Sequence, residues 1–404
     1  MKLLILCALT VLAATPAYAQ APAANDPIVI LASRLDLARY KATIKSLTQF
    51  GDRRQGTDRN ANAVTWIETQ LKSYGCANVE RLTYDYQPAA PTAQPLDSAA
   101  RAAAAATRAQ NAAFGTAQGG GRMRGTRTRT GVNTDSLAQK DLALRALNSQ
   151  PTKPGMRQEV YCTKVGSTHP DEMYIIGAHM DGHGWGEAAN DDGSGTALVM
   201  EIARIMSMPD VKTDRSIRFA LWNNEETGLN GARAYVVQRE ALQGKESPAG
   251  SGKYPEPRWL GMIQHDMMLF DHGMPRPDGT MSPEQRPEAD VNIEFQSASK
   301  MAAESQKLAW LFATANEKYA TDYPAAVGPH MTNTDSAPFQ DLVPSISLRE
   351  NERGREIGAG WDPQWHQVTD VFSTYTDKDF RLGLNATQTT LGAIGMLVGA
   401  TVIR

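Results

Sequence analysis

The amino-acid sequence predicts an α/β fold: a mixed, mostly parallel central sheet with helices on both faces. Three observations carry this expectation. Residues 173–176, 217–222, 259–263 and 345–348 are short apolar runs, the pattern of strands buried on both faces. Helical stretches separate several of them, notably 196–206, where Leu198, Ile202 and Ile205 share one side. The chain also has an ordinary globular composition, with 404 residues, 41% hydrophobic and 21% charged. That suffices for one large domain or two ordinary ones.

The elements follow in chain order. Residues 1–19 read as a signal peptide: Lys2 gives a positive start, 3–14 are apolar, and Ala17-Tyr18-Ala19 fits a small-x-small cleavage site. The apolar run is too short for a permanent anchor, and the residues before Cys7 do not suit lipid attachment. The expected product is a single exported domain, 20–404, periplasmic or secreted, with no stable membrane anchor. Leu35, Leu37, Tyr40, Ile44 and Leu47 predict a helix over 33–50. Val64, Ile67 and Leu71 predict another over 60–74, stopped by Gly75. A strand is expected at 79–86.

Composition then shifts. Residues 88–154 are dominated by Ala, Arg, Gln, Thr and Gly, which predicts a low-complexity insertion, flexible or loosely helical. Its arginines at 122–129 read as a solvated face, and a net charge of −3 without a basic block argues against nucleic acid. Patterning resumes with a strand at 158–164. Cys76 and Cys162 each border a predicted strand and form an even pair in an exported chain, so a disulfide is expected. The apolar run 389–403 reads as a closing core helix.

Every central strand runs into chemistry-bearing residues. After 175–176 come His179 and Asp181; Asn190-Asp191-Asp192-Gly193-Ser194-Gly195 opens a helix. After 219–222 come Asn223-Asn224-Glu225-Glu226, after 262–263 comes Asp266, and near the end stand Trp365-His366 and Asp370. Ligand sites of doubly wound sheets gather at such strand ends. Two imidazoles among several carboxylates repel one another unless cations lie between them. Nitrogen and oxygen donors without thiolates suit catalytic zinc. Adjacent glutamates suggest divided labour, one on metal and one free to take a proton. Asp192 and Ser194 are expected to shape the turn and cap the helix. His183, His265, His272 and His330 are expected to be surface or internally satisfied groups.

At these residues the sequence resembles the M28 family of cocatalytic zinc peptidases, over roughly residues 30–85 and 157–404, five segments standing in the family's order. The resemblance implies a zinc-exopeptidase (phosphorylase/hydrolase-like) fold, two Zn2+ per chain and peptide substrates. It implies His179 and Asp266 on one zinc, Glu226 and His366 on the other, and Asp191 bridging both. Glu225 is implied as the general base acting on a metal-bridging water. Asp181 is expected to fix His179, and Asp370 to fix His366. Trp365 stands where the family often has Tyr, so any oxyanion donor would be an indole N–H. Ser336 replaces the His of the family's Ser-Asp-His-x-Pro-Phe segment, leaving Asp335 as a pocket candidate. The function so implied is an aminopeptidase. The alternatives are a carboxypeptidase Q-like dipeptidase of the same family, a single-zinc glutaminyl cyclase, and a non-catalytic binding module. The sequence has no His-Glu-x-x-His, no Gly-x-Ser-x-Gly and no phosphate loop.

Overall fold

The computed structural model describes residues 22–76, 78–87, 132–271, 289–329, 334–350 and 362–403. The signal peptide, most of the insertion, the arginines at 122–129, His272 and His330 therefore lie outside the described residues. In chain order the elements are α1 (Pro27–Ala32), α2 (Leu37–Thr48), α3 (Asp58–Ser73), β1 (Asn78–Tyr86), α4 (Leu142–Asn148), β2 (Gly155–Lys164), β3 (His169–His179), α5 (Gly193–Met206) and β4 (Val211–Lys212). They continue with β5 (Arg215–Trp222), α6 (Asn230–Arg239), β6 (Arg258–His265), β7 (Val291–Phe295), α7 (Ala302–Tyr319), β8 (Ala325–Gly328), β9 (Ser345–Arg349), α8 (Asp377–Leu397) and β10 (Thr401–Val402).

Eight strands form one mixed sheet in the order β1-β2-β5-β3-β6-β9-β7-β8. Its centre, β5-β3-β6-β9, is parallel throughout; β1 against β2, β2 against β5 and β7 against β9 are antiparallel, and β8 runs parallel to β7. Alternation sorts the side chains. Ile176, Ala178, Ile217, Phe219, Leu221 and Ile263 join a large core beneath α1, α2, α5, α7 and α8. Met173, Ile175, Ala220, Trp222, Trp259 and Met262 face the other way, against Ala232 and Tyr235 of α6. Both faces carry helices, as expected, but unequally. The second face is largely an aromatic packing of Trp222, Tyr235, Trp259 and Phe339, with centroids 5.2–6.1 Å apart.

Two features differ from expectation, the closing helix and the insertion. The closing helix begins at Asp377, capped by a Thr376–Asp379 box, and stops at Leu397. The last residues instead pair β10 with β4. The described part of the insertion, 132–154, carries a 3-10 turn and α4, and side chains fasten it to the body. Asn148 Nδ2 donates to Gly186 O at 2.8 Å and Gln139 Nε2 to Trp185 O at 2.8 Å. Cys76 and Cys162 are disulfide-bonded, with Cα atoms 6.1 Å apart, joining the turn after α3 to β2.

Candidate metal centre

The parallel strands end on one side of the sheet, and each delivers a functional group there. β3 ends at His179, β5 leads through Asn223 and Asn224 to Glu225 and Glu226, β6 leads to Asp266, and β9 ends at Arg349. Asp191 comes from the loop before α5, and His366 from the loop before α8. The structure thus brings all six expected residues, Glu225 and the five ligand candidates, to one cavity of about 280 Å³. That lies just below the ~300–1,000 Å³ range of ordinary ligand pockets.

Asp191 is central. Its Oδ1 lies 3.2 Å from His179 Nε2 and its Oδ2 lies 2.9 Å from His366 Nε2. Asp266 Oδ1 lies 3.7 Å from His179 Nε2, and Glu226 Oε2 lies 2.9 Å from His366 Nε2. Donors around a tetrahedral zinc with bonds of about 2.0–2.1 Å are spaced by about 3.3 Å, so these separations fit two cations sharing one carboxylate. Glu226 Oε1 is buried without a hydrogen-bond partner, an orphan of the kind a cation satisfies. His179 Nδ1 lies 3.0 Å from the Asp181 carbonyl, which can only accept. That contact places the proton on Nδ1 and turns the Nε2 lone pair to the cluster.

Electrostatics follow from this crowding. Burial pushes the Glu225 carboxyl well above the usual range, His179 opposes that, and the charges of Glu226, Asp335 and Asp266 add to it. Burial alone would lower His366, but Glu226 and Asp191 outweigh it and raise it to about 10. For Glu226, burial is outweighed by His366 and His183, which pull it down to about 2. Without metal, the carboxylates therefore favour the protonated forms of His179 and His366.

The supporting shell is built from distant residues. Asp192 caps α5 through Gly195 N at 2.8 Å, as expected, and also accepts His179 N at 3.1 Å. Buried Arg53 donates to the carbonyls of Met180, Glu187 and Ala188 at 2.7–2.8 Å, stitching together the loop after β3. Gly184 in that loop has φ +98° and presses on the His366 carbonyl, where a Cβ would collide. Trp185, Ala188, Asn224, Met267 and His366 all have positive φ without being glycine, strain of the kind that concentrates at functional sites. Asn133 N donates to His366 O at 2.9 Å, so the insertion's tail also braces the site.

Several expected roles are redistributed. The Asp181 carboxylate receives Glu225 N at 3.0 Å and lies 3.9 Å from His179 Nδ1, whose nearer partner is the Asp181 carbonyl at 3.0 Å. Asp370 does not hold His366, whose Nδ1 has no hydrogen-bond partner. Asp370 instead accepts Asn190 N at 2.8 Å, Asp191 N at 3.2 Å and the Tyr375 hydroxyl at 3.0 Å, so it steadies the central Asp191. Trp365 stacks on His366 at 3.8 Å and lines the cavity. Asp335 lies fully buried, taking a 3.3 Å hydrogen bond from Gln264, and is not among the residues lining that cavity. His265 is satisfied internally by Gly177 O and Thr390 Oγ1. His183 is not a surface group: its Nε2 is buried 3.0 Å from Glu226 Oε2. The sequence reading also passed over Arg349, a buried guanidinium bonded to Asp266. The signal available was an Arg-Glu pair directly after an apolar strand.

Comparison with known proteins agrees with this geometry. The model of "Peptidase family M28" matches residues 159–386, more than half the chain. Aminopeptidase YwaD of Bacillus subtilis (strain 168) is 43% identical over 68 residues, 17% of this chain and 14% of that protein. Leupeptin-inactivating enzyme 1 of Streptomyces exfoliatus is 37% identical over 74 residues, 18% and 17% of the two chains. Carboxypeptidase Q of Mus musculus is 32% identical over 83 residues, 20% and 18%. The matched stretches thus span under a fifth of these relatives. The fold is that of an aminopeptidase from Aneurinibacillus sp. strain AM-1, with TM-score 0.58, 20% identity and coverage of 93% and 96%. It is also that of the Porphyromonas gingivalis glutaminyl cyclase, with TM-score 0.52, 13% identity and coverage of 90% and 99%.

Proposed function

Because the chain belongs to peptidase family M28 and is thereby a peptidase, we propose that it is a co-catalytic two-zinc aminopeptidase that takes single residues from the free amino end of peptides. The observation carrying this reading is Asp191, whose two oxygens face different imidazoles, with Glu225 lining the same small cavity. His179 and Asp266 would hold one zinc, Glu226 and His366 the other, and Asp191 both. Zinc so held supplies Lewis acidity, polarising the scissile carbonyl and lowering the pKa of the attacking water.

The chain's own groups do the rest. Glu225 accepts the water proton on its carboxylate and delivers it to the leaving amine. Its backbone N–H is pinned by Asp181, which fixes where that carboxylate sits. Burial raises the Glu225 carboxyl and the neighbouring carboxylates add to that rise, so cations among them would ease it back toward the ionised form a base needs. The excess of acidic groups favours a protonated α-amine. Trp365 walls the cavity and offers an indole N–H where the family often has a Tyr hydroxyl. Export is part of the same proposal, supported by the leader-like N-terminus and the Cys76–Cys162 bond. N-terminal sequencing of the exported protein, expected to begin at Gln20, checks it.

The test is Glu225→Gln, with metal content measured alongside turnover of a leucine anilide. The variant should keep both metals and lose roughly 10²- to 10⁴-fold in kcat; near-normal turnover would overturn the base assignment. A second reading, a dipeptidase, is favoured by one observation. The Arg54 guanidinium lies over the Trp185 ring at 5.4 Å in a cavity of about 340 Å³ that also reaches His183 and Glu226, a place for a substrate carboxylate. Free dipeptides cleaved far faster than their C-terminal amides and anilides would establish it. One metal per chain with cyclisation of an N-terminal glutamine would favour the glutaminyl cyclase reading instead.

A further inference from the structure

We propose that His183 is an additional protein ligand of the cation held by Glu226 and His366, an inference that rests on the two-cation reading. One carboxylate oxygen, Glu226 Oε2, has two imidazole nitrogens beside it: His366 Nε2 at 2.9 Å and His183 Nε2 at 3.0 Å. The His183 nitrogen is buried at that distance and has no assigned hydrogen-bond partner among the described residues. The three donor atoms lie within 4.8 Å of one another, the spacing of ligands around a common centre rather than of a donor aimed at an acceptor. The two rings stand edge to face, 4.0 Å apart at 89°, so neither shields the other's nitrogen.

The backbone holds His183 in this place. It lies between Gly182 and Gly184, two positions where a Cβ would clash, the first with Ala188 and Asp191 O and the second with His366. Arg53 fixes the loop on either side through Met180 O and Glu187 O. A histidine preorganised in this way costs little further ordering when it ligates.

The consequence is asymmetry. One cation is held by His179, Asp266 and shared Asp191; the other by His366, Glu226, His183 and shared Asp191. The second set is richer in imidazole and favours zinc, cobalt, nickel or copper over magnesium or calcium. Stepwise filling follows, with the His183 side occupied first.

Metal-depleted wild type, His183→Ala and His183→Gln are titrated with Zn2+ by calorimetry, and their Co2+ adducts compared by absorption. Both variants should weaken one binding step at least about tenfold, leave the other unchanged, and alter the cobalt d–d bands. The unchanged step shows that the variants are folded. If His183→Gln, whose amide can donate to Glu226, keeps both wild-type affinities and the wild-type spectrum, the inference is overturned and His183 is a positioning residue. A wild type that binds one cation, which His183→Ala still weakens, upholds the inference while ending the two-cation reading. A wild type that binds none ends both.

Discussion

Arg349 offers the sharpest test of how the site is held together. It ends β9, is 1% exposed, and bonds Asp266 Oδ2 through Nη2, while its Nε lies 3.7 Å from Glu294 Oε2. Thr334 Oγ1 donates to the same Asp266 oxygen at 2.7 Å. Oδ2 is therefore occupied, and Oδ1 is the oxygen left facing His179. Burial alone would lower the guanidinium's pKa, but Asp266 and Glu294 raise it, so it stays charged. Arg349→Met removes that charge and keeps most of the volume. At the observed 3.7 Å, a pair at an effective dielectric of 20 interacts by roughly 4 kcal/mol. Breaking a buried pair from one side costs about 3–5 kcal/mol, because the remaining carboxylates lose the Arg349 charge without leaving the interior.

The assay is urea unfolding of metal-free protein with the disulfide intact, comparing wild type, Arg349→Met and the double variant Arg349→Met/Glu294→Gln. The single variant should lose about 3–5 kcal/mol, and the double should recover part of it by removing the Glu294 charge that faced Arg349. In a separate zinc titration, freeing Asp266 should weaken binding by roughly 10- to 100-fold. If Arg349→Met stays within about 1 kcal/mol of wild type, or the double variant is no more stable than the single, the buried-pair account is wrong.

Two further outcomes concern stability. Replacing Cys76 and Cys162 with Ser opens a loop closed over a separation of 86 residues, which the chain-entropy relation sets at about 4–5 kcal/mol; calorimetry should show the corresponding fall in Tm. His265 is pushed down to about 4 by burial, partly offset by its bond to Gly177 O. Between the unfolded value near 6.5 and that native value, the unfolded chain binds the extra proton. Wild-type stability should therefore fall as pH drops from about 6.5 to about 4, by up to roughly 3 kcal/mol, and level off below. His265→Gln lacks this term, so urea midpoints of the two metal-free proteins at pH 7 and 4.5 should converge. Parallel lines would remove His265 as the cause.

What was legible in the sequence and what was not divides along one physical line. The central strands announce themselves because burial on both faces leaves no room for polar alternation: 173–176 and 217–222 are read from composition alone. β7 escapes because Asn292 and Glu294 are buried within it, and β8 because Ala-Ala-Val-Gly is too short to show a period. The ligands are legible for a related reason, since a strand that ends in His179 or leads into Glu225, Glu226 or Asp266 sets a charge against an apolar run. Residues that support the ligands carry no such contrast. Arg53 sits in a Gly-Asp-Arg-Arg-Gln-Gly stretch that reads as a solvated turn, yet three of its acceptors, Met180 O, Glu187 O and Ala188 O, lie more than 120 residues away. Spacing misleads where the backbone is irregular. Asp370 stands four after His366, the interval that pairs side chains on a helix, but α8 begins only at Asp377. The loop turns Asp370 toward Asn190 and Asp191 instead. Chemistry concentrated at strand ends can therefore be read locally, while the shell that gives it geometry is fixed by the fold and has to be seen.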